Sequence, residues 1–214
     1  WFPADFITEC FPGQFKNWFY ALIAMSSALE DTNPYKTLLG HALVKDEYGE
    51  EMHKSKGNAI WFDEAAEKMG VDIMRWMYAS QNPIQNLNFG YLAAQDVLRR
   101  FILTLWNTYS FFVTYANVDK WGSDSRQNDN KKTMLDKWII SRLDETILIV
   151  EKELKQYNSY KSTQAVEEFV KDLSTWYLRL SRKRRDEAFY ETMYDVMLKL
   201  TIIISPFEIG RAHV

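Results

Sequence analysis

The spacing of apolar and polar positions changes along the chain, with the change falling near residue 60. From Ala4 to Glu9 a short apolar stretch precedes Pro12-Gly13 and predicts a strand followed by a turn. Between Gln14 and Leu29, residues Trp18, Phe19, Leu22, Ile23, Met25, Ala28 and Leu29 recur at intervals of three and four. That spacing predicts a mostly buried helix, ended at Asn33-Pro34. Leu38 to Val44 is strand-like, Asp46-Glu47-Tyr48-Gly49 reads as a polar turn, and Glu50 to Asn58 as a charged loop. Strand, helix, strand and loop in that order form an α/β rhythm.

Beyond residue 60 the period is helical throughout. Phe62 to Met69 and Val71 to Ser80 read as two short helices, with Gly70 as the stop between them. Asn82 to Gly90 reads as a loop, and Tyr91 to Ala116 carries an apolar stripe wide enough to be buried on more than one side. Three further helices are predicted over residues 133–157, 163–183 and 186–204, with Trp138, Trp176 and Leu180 among the buried positions. The short links at Asn158-Ser159 and Arg184-Arg185 predict antiparallel neighbours in a bundle. The polar stretch from Trp121 to Lys132 is the expected domain boundary. Residues 1–120 then form an α/β part with its following helices, 121–132 a linker, and 133–207 an all-α bundle.

Composition narrows the class without naming a function. Hydrophobic residues make up 47% and charged residues 26%, with only eight Gly and five Pro, which excludes collagen-like and disordered readings. No wholly apolar run approaches the roughly 18 residues of a membrane helix, and Leu200 to Phe207 is short and closes on a proline. One cysteine, Cys10, excludes an intrachain disulfide and a CxxC zinc site, and fits a reducing compartment with the side chain buried. A net charge of -3 means that nucleic-acid contact must come from a local patch. Arg179, Arg182, Lys183, Arg184 and Arg185 form the densest such run, suited to phosphate contact or to a solvated helix end. The chain begins at Trp1 inside apolar sequence, as the middle of a domain would, and no targeting segment is expected.

The segment richest in chemistry is Glu50 to Asn58, in which Lys54, Ser55, Lys56 and Gly57 follow one another. Lysine ammonium groups beside a glycine can neutralise a polyphosphate during nucleotidyl transfer, a reaction governed by positioning and charge stabilisation. A charged surface loop has the same composition. Glu51-Met52-His53-Lys54-Ser55, followed by Lys56-Gly57-Asn58, resembles the KMSKS-x-GN signature of class I aminoacyl-tRNA synthetases. It departs from that signature in having Glu51 for the first lysine and His53 for the serine. Pro3 to Glu9, followed by Gly13-Gln14 and Asn17 to Tyr20, is similar to the PADFI-x-E and Q-x-R-G/N-W-F-Y stretches of the isoleucyl-tRNA synthetases. Gly40-His41 with Asp46 and Gly49 resembles the run leading into the signature loop, with Ala42 where glycine is usual. Residues 62–76 resemble the helix pair after the loop, and Trp176 to Arg182 is similar to a helix of the anticodon domain.

This resemblance covers nearly all of residues 1–207. It implies the C-terminal half of a Rossmann-like catalytic domain followed by a helical bundle, predominantly α overall. It implies ATP-dependent activation of isoleucine and transfer to tRNA(Ile) by a cytoplasmic, monomeric enzyme, with Mg2+ accompanying ATP and no metal site of its own. Lys54 would contact the ATP phosphates, supported by Ser55, Lys56 and His41, while Glu9, Gly13, Gln14 and Trp18 would hold the aminoacyl adenylate. Valyl and leucyl relatives share the loop, and a non-catalytic tRNA-binding helical protein with an altered loop is a further reading. Residues 208–214 (EIGRAHV) do not fit the family pattern; one reading frame of a common sequencing adapter encodes them, so they are expected to be a non-native tail.

Overall fold

The computed structural model describes residues 2–123 and 132–208. Most of the expected linker and residues 209–214 of the expected tail therefore lie outside the described residues. The chain divides into two compact units, one formed by Trp1–Trp61 with Gln81–Ala93 and the other by Phe62–Ser80 with Ala94–Val214. The polar stretch 121–132 lies within the sequence span of the second unit.

In the first unit, β1 (Ala4–Cys10) pairs in parallel with β2 (Tyr35–His41), Glu9 standing opposite Gly40 and Cys10 opposite His41. A parallel pair needs a long crossover, and an unbroken helical run supplies it. That run is α1 (Phe11–Gln14), a π-helical turn (Phe15–Phe19) and α2 (Tyr20–Glu30). Pro12 and Gly13 do not make the expected turn. They begin the helix, because proline fits the first helical turn, where its missing N–H costs nothing. The second strand is shifted from the expected 38–44, since Ala4 N already donates to Pro34 O at 3.0 Å. At Ala42 the chain changes partner, its N donating to Pro83 O at 2.8 Å. β3 (Val44–Lys45) then pairs in parallel with β4 (Leu87–Asn88), a short strand inside the expected loop.

The helix of the crossover is less buried than its spacing predicts. Along it only Phe19 and Ser26 are buried, while Ile23, Met25 and Leu29 are exposed. Two strands are too narrow to cover an apolar helix on every side. Cys10 is likewise half-buried rather than enclosed.

The second unit is helical. α3 (Phe62–Met69) and α4 (Val71–Ala79) meet at Gly70, whose φ is 89°. The helical run from Tyr91 to Val118, whose first three residues belong to the first unit, consists of α5 (Tyr91–Val97), a π turn (Leu98–Ile102) and α6 (Leu103–Val118). It buries a single stripe of Ala94, Val97, Phe101, Thr108, Phe112 and Ala116, leaving Trp106 and Tyr109 exposed, so the expected burial on several sides is not observed. Trp76 of α4 is fully buried, stacks on Phe101 at 3.9 Å and donates its Nε1–H to Glu167 Oε1 at 2.7 Å. The stack buries apolar area and the hydrogen bond removes the penalty on the buried indole N–H.

α7 (Met134–Leu154), α8 (Ser159–Asp172) and α10 (Glu187–Ile204) pack together, with a π turn (Leu173–Leu178) and the short α9 (Arg179–Ser181) between the last two. Ile139, Leu143, Val166, Phe169, Tyr177, Phe189 and Met193 are each at most 1% exposed. Trp176 and Leu180, expected inside, are exposed, because the π turn rotates the stripe between Leu173 and Arg179. Local chemistry starts each helix: Asn158 and Asp186 cap α8 and α10, and Thr133 with Asp136 forms a reciprocal capping box at α7.

Asp136 has a second task. Its carboxylate is fully buried and accepts from Arg184 at 2.8 and 3.0 Å and from the Tyr177 hydroxyl at 2.6 Å. Burial alone would raise its pKa, but the hydrogen bonds from Arg184, Tyr177 and Thr133 outweigh it and hold the carboxyl below the ordinary range. A depressed acid stabilises the fold above its unfolded pKa of about 3.9 and loses that contribution as pH falls through the native value. Asp136→Asn should therefore cost about 3 kcal/mol at pH 7, as expected for removing one member of a buried pair. Urea unfolding should show the difference between the variant and the parent shrinking below pH 4.

Candidate functional site

The charged loop is built on one buried carboxylate. Asp46, 9% exposed, follows β3 directly. Its Oδ1 accepts from the backbone N–H of Tyr48 at 3.0 Å and Glu50 at 2.8 Å, and its Oδ2 accepts from Asn58 Nδ2 at 2.8 Å. The hydrogen bonds from Asn58 and from Glu50 N–H hold its pKa below the ordinary value. Asn58 reaches back into the loop as well. Its Nδ2 donates to Glu51 O at 3.1 Å and its Oδ1 accepts from His53 N–H at 2.9 Å. Two side chains thus close the turn 46–50 and the loop 51–58 upon each other. Lys45 Nζ adds a hydrogen bond to Gly49 O at 3.0 Å.

Between those anchors the tip is exposed. Lys54–Lys56 form a single 3₁₀ turn, capped by Gly57 at φ 72°, a left-handed conformation that glycine adopts without strain. Lys54 Nζ lies 4.6 Å above the ring of Trp61, a cation–π contact. His53 Nε2 lies 3.6 Å from Glu51 Oε2, so the two residues that depart from the signature face each other.

The other expected residues gather at the carboxyl ends of β1 and β2, where open parallel sheets bind ligands. Glu9 and Cys10 lie beside Gly40 and His41 in register. Gly13 and Gln14 occupy the helical turn that follows immediately. Glu9 Oε1 accepts from Cys10 N at 2.8 Å, and His41 Nδ1 lies 2.8 Å from Ala42 O. Gly40 is required here by space, since a Cβ would stand 2.9 Å from Phe11 Cβ. Trp18 is exposed and packs edge-on against Phe19. Lys54, Ser55 and Lys56 are carried by a different strand pair from Glu9 and His41. Sequence reasoning missed the roles of Asp46, Asn58 and Trp61; the Asp and Asn at the ends of the charged stretch were the available signal.

Comparison with known proteins identifies the arrangement. Residues 1–90 match the model of tRNA synthetases class I (I, L, M and V), and residues 136–208 match that of the anticodon-binding domain of tRNA ligase. The isoleucine–tRNA ligase of Clostridium tetani is 37% identical over 96% of this chain, and that of Thermus thermophilus 35% identical over 96%. The chain is similar to class I tRNA synthetases over its first 90 residues and to the anticodon-binding domain of tRNA ligase over residues 136–208. It spans about one fifth of the length of these relatives, 21% of each. The fold is also that of a methionyl-tRNA synthetase of Mycobacterium tuberculosis solved with methionyl-adenylate, with a TM-score of 0.76 and 18% identity over 97% of this chain and 42% of that one. It is likewise that of an Agrobacterium radiobacter LeuRS solved in a ternary complex with tRNA, with a TM-score of 0.74 and 15% identity over 96% of this chain and 26% of that one.

The basic run of this chain is divided. Arg184 is held by Asp136 and by Asp186 at 2.8 Å, and Arg185 pairs with Asp119 while its guanidinium lies 4.9 Å over the Tyr115 ring. Hydrogen bonding to these carboxylates raises the pKa of both arginines. Arg184 and Arg185 thus serve internal carboxylates rather than standing open as an anion patch. Arg179, Arg182 and Lys183 are exposed.

Gly40→Ala should lower the stability of the first unit by about 1–3 kcal/mol, because Phe11 Cβ, unlike a flexible side-chain end, cannot give way cheaply. A denaturant midpoint equal to the parent's would show that β2 can shift to accept the methyl.

Proposed function

We propose that this chain is the part of an isoleucine–tRNA ligase that positions ATP phosphates and begins the tRNA-binding bundle. The whole enzyme joins isoleucine to ATP, giving enzyme-bound isoleucyl adenylate and pyrophosphate, and then esterifies tRNA(Ile). The observation that carries the reading is the exposed Lys54–Lys56 turn held over buried Asp46 and half-buried Asn58. Its lysines stand in water on a fixed base, as an element that must meet a polyphosphate requires. Lys54 swings from Trp61 to the phosphates and offsets negative charge as pyrophosphate departs, with Ser55, Lys56 and His41 in support. Glu9 can accept from the substrate ammonium, and Gly13, Gln14 and Trp18 line the adenylate side of the strand ends.

Magnesium enters this reading as the companion of ATP. In this reading the ion is carried by the ATP phosphates. A pocket separates isoleucine from valine by only about 1–3 kcal/mol per methylene, so selectivity needs editing elsewhere in the enzyme. The reading includes a cytoplasmic monomer.

Lys54→Ala in the full-length enzyme should lower isoleucine-dependent pyrophosphate exchange at least about tenfold, or ~1.4 kcal/mol. An unchanged rate removes Lys54 from the mechanism, and exchange supported by valine or leucine instead reassigns the substrate. Replacing Arg179, Arg182 and Lys183 together by alanine should raise the KM for tRNA and leave exchange intact. The salt dependence should flatten by about 0.7–0.9 for each phosphate no longer neutralised. A tRNA KM with the parent's salt slope would place the tRNA backbone elsewhere.

A further inference from the structure

The loop's lysines cannot position anything unless the loop itself is positioned, and the tip residues Lys54, Ser55 and Lys56 are exposed. What defines the loop's course lies beneath it. Asp46 and Asn58, 12 residues apart, share one hydrogen bond, and between them they engage the backbone at Tyr48, Glu50, Glu51 and His53. Each polar atom of the pair has a partner of the correct sense. The two Asp46 oxygens only accept, the Asn58 amide nitrogen donates twice, and its oxygen accepts once. Gly49 at φ 83° and Gly57 at φ 72° let the backbone turn at both ends of the enclosed segment.

We propose that Asp46 and Asn58 are positioning residues for adenylate formation, a latch that sets where Lys54 and Lys56 stand relative to the ATP phosphates. The inference rests on the reading of this loop as a phosphate-binding element. The latch touches no substrate. It acts by restricting the conformations from which the lysines meet developing charge, so its loss lowers the fraction of enzyme poised for the transition state. Isoleucine binding at the ends of β1 and β2 depends on other residues and is left alone.

The pairing allows a reciprocal test. Asn58→Asp sets two carboxylates against each other, and Asp46→Asn sets two amides. The double variant Asp46→Asn with Asn58→Asp restores a complementary pair. In it the new asparagine accepts from Tyr48 and Glu50 N–H and donates to the new aspartate, which still accepts from His53 N–H; only the bond to Glu51 O disappears. In the full-length enzyme, adenylate formation is measured with ATP and isoleucine varied in turn, beside tryptic cleavage after Lys54 and Lys56 and thermal unfolding.

Asn58→Asp should reduce kcat/KM for ATP about tenfold, the effect of removing one or two net hydrogen bonds. The isoleucine KM should stay within about twofold, cleavage should quicken, and the double variant should recover most of both losses. Normal kinetics in the single variants, or a double variant no better than the worse single, would overturn the latch. So would a melting temperature that falls in step with activity, because the pair would then be holding the unit and not the loop. Lys54→Ala serves as the control. If Lys54→Ala is impaired while Asn58→Asp is normal, the latch fails and the phosphate reading stands. If Lys54→Ala is silent, the phosphate reading fails, and faster cleavage in Asn58→Asp would report only the loop's restraint.

Discussion

Two strands that pair in parallel cannot be joined by a tight turn, and both strand pairs among the described residues are parallel. The candidate site residues of the first unit lie in the long connections this requires or at their ends. Between β1 and β2 the connection is one helical run, which begins as β1 ends and brings Gly13 and Gln14 to the strand ends beside Glu9 and His41. Between β3 and β4 the connection runs from Asp46 to Asn86 and carries the lysine loop, α3 and α4. The loop is therefore part of a crossover, anchored at its start by a strand and at its close by Asn58.

Both units use a buried aspartate to organise neighbouring chain. Asp46 gathers backbone N–H groups and one amide, so its charge is met by dipoles. Asp136 gathers a guanidinium, a phenol and a threonine that it also caps. Removing a carboxylate from water is costly unless its lone pairs are occupied, and each is satisfied by residues distant in sequence: Asn58 for the first, Tyr177 and Arg184 for the second. Long-range specificity is thereby written into a few polar contacts, while apolar packing around Trp76, Phe169 and Phe189 supplies most of the driving force.

The helices were legible because their signals are local. Their apolar residues recur at three and four within a few turns, and Gly70 marks a stop at a positive φ. The Asn158 cap, which starts α8 at Ser159 and not at 163, went unread. The loop was legible for a different reason: its order of lysines, serine and glycine resembles a known signature. Pro12-Gly13 misled because the same pair that ends an element can begin a helix, and the choice depends on β1 handing directly into α1. Trp18 and Trp176 misled because periodicity states which face is apolar, not whether another element covers it.

The sequence by itself therefore determined the α/β-then-helical order, the Gly70 stop, the lysine loop and the resemblance that the comparisons bore out. Those are properties of short windows of chain. Only the tertiary structure decided that Asp46 and Asn58 meet, that Lys54 rests on Trp61, that Arg184 turns inward to Asp136 and that the exposed Arg185 pairs with Asp119, while Arg179, Arg182 and Lys183 face water. A charged side chain carries the same label in sequence whether it is solvated or paired. The difference is the cost of burying it, and that is settled by which distant residue the fold brings within hydrogen-bond reach.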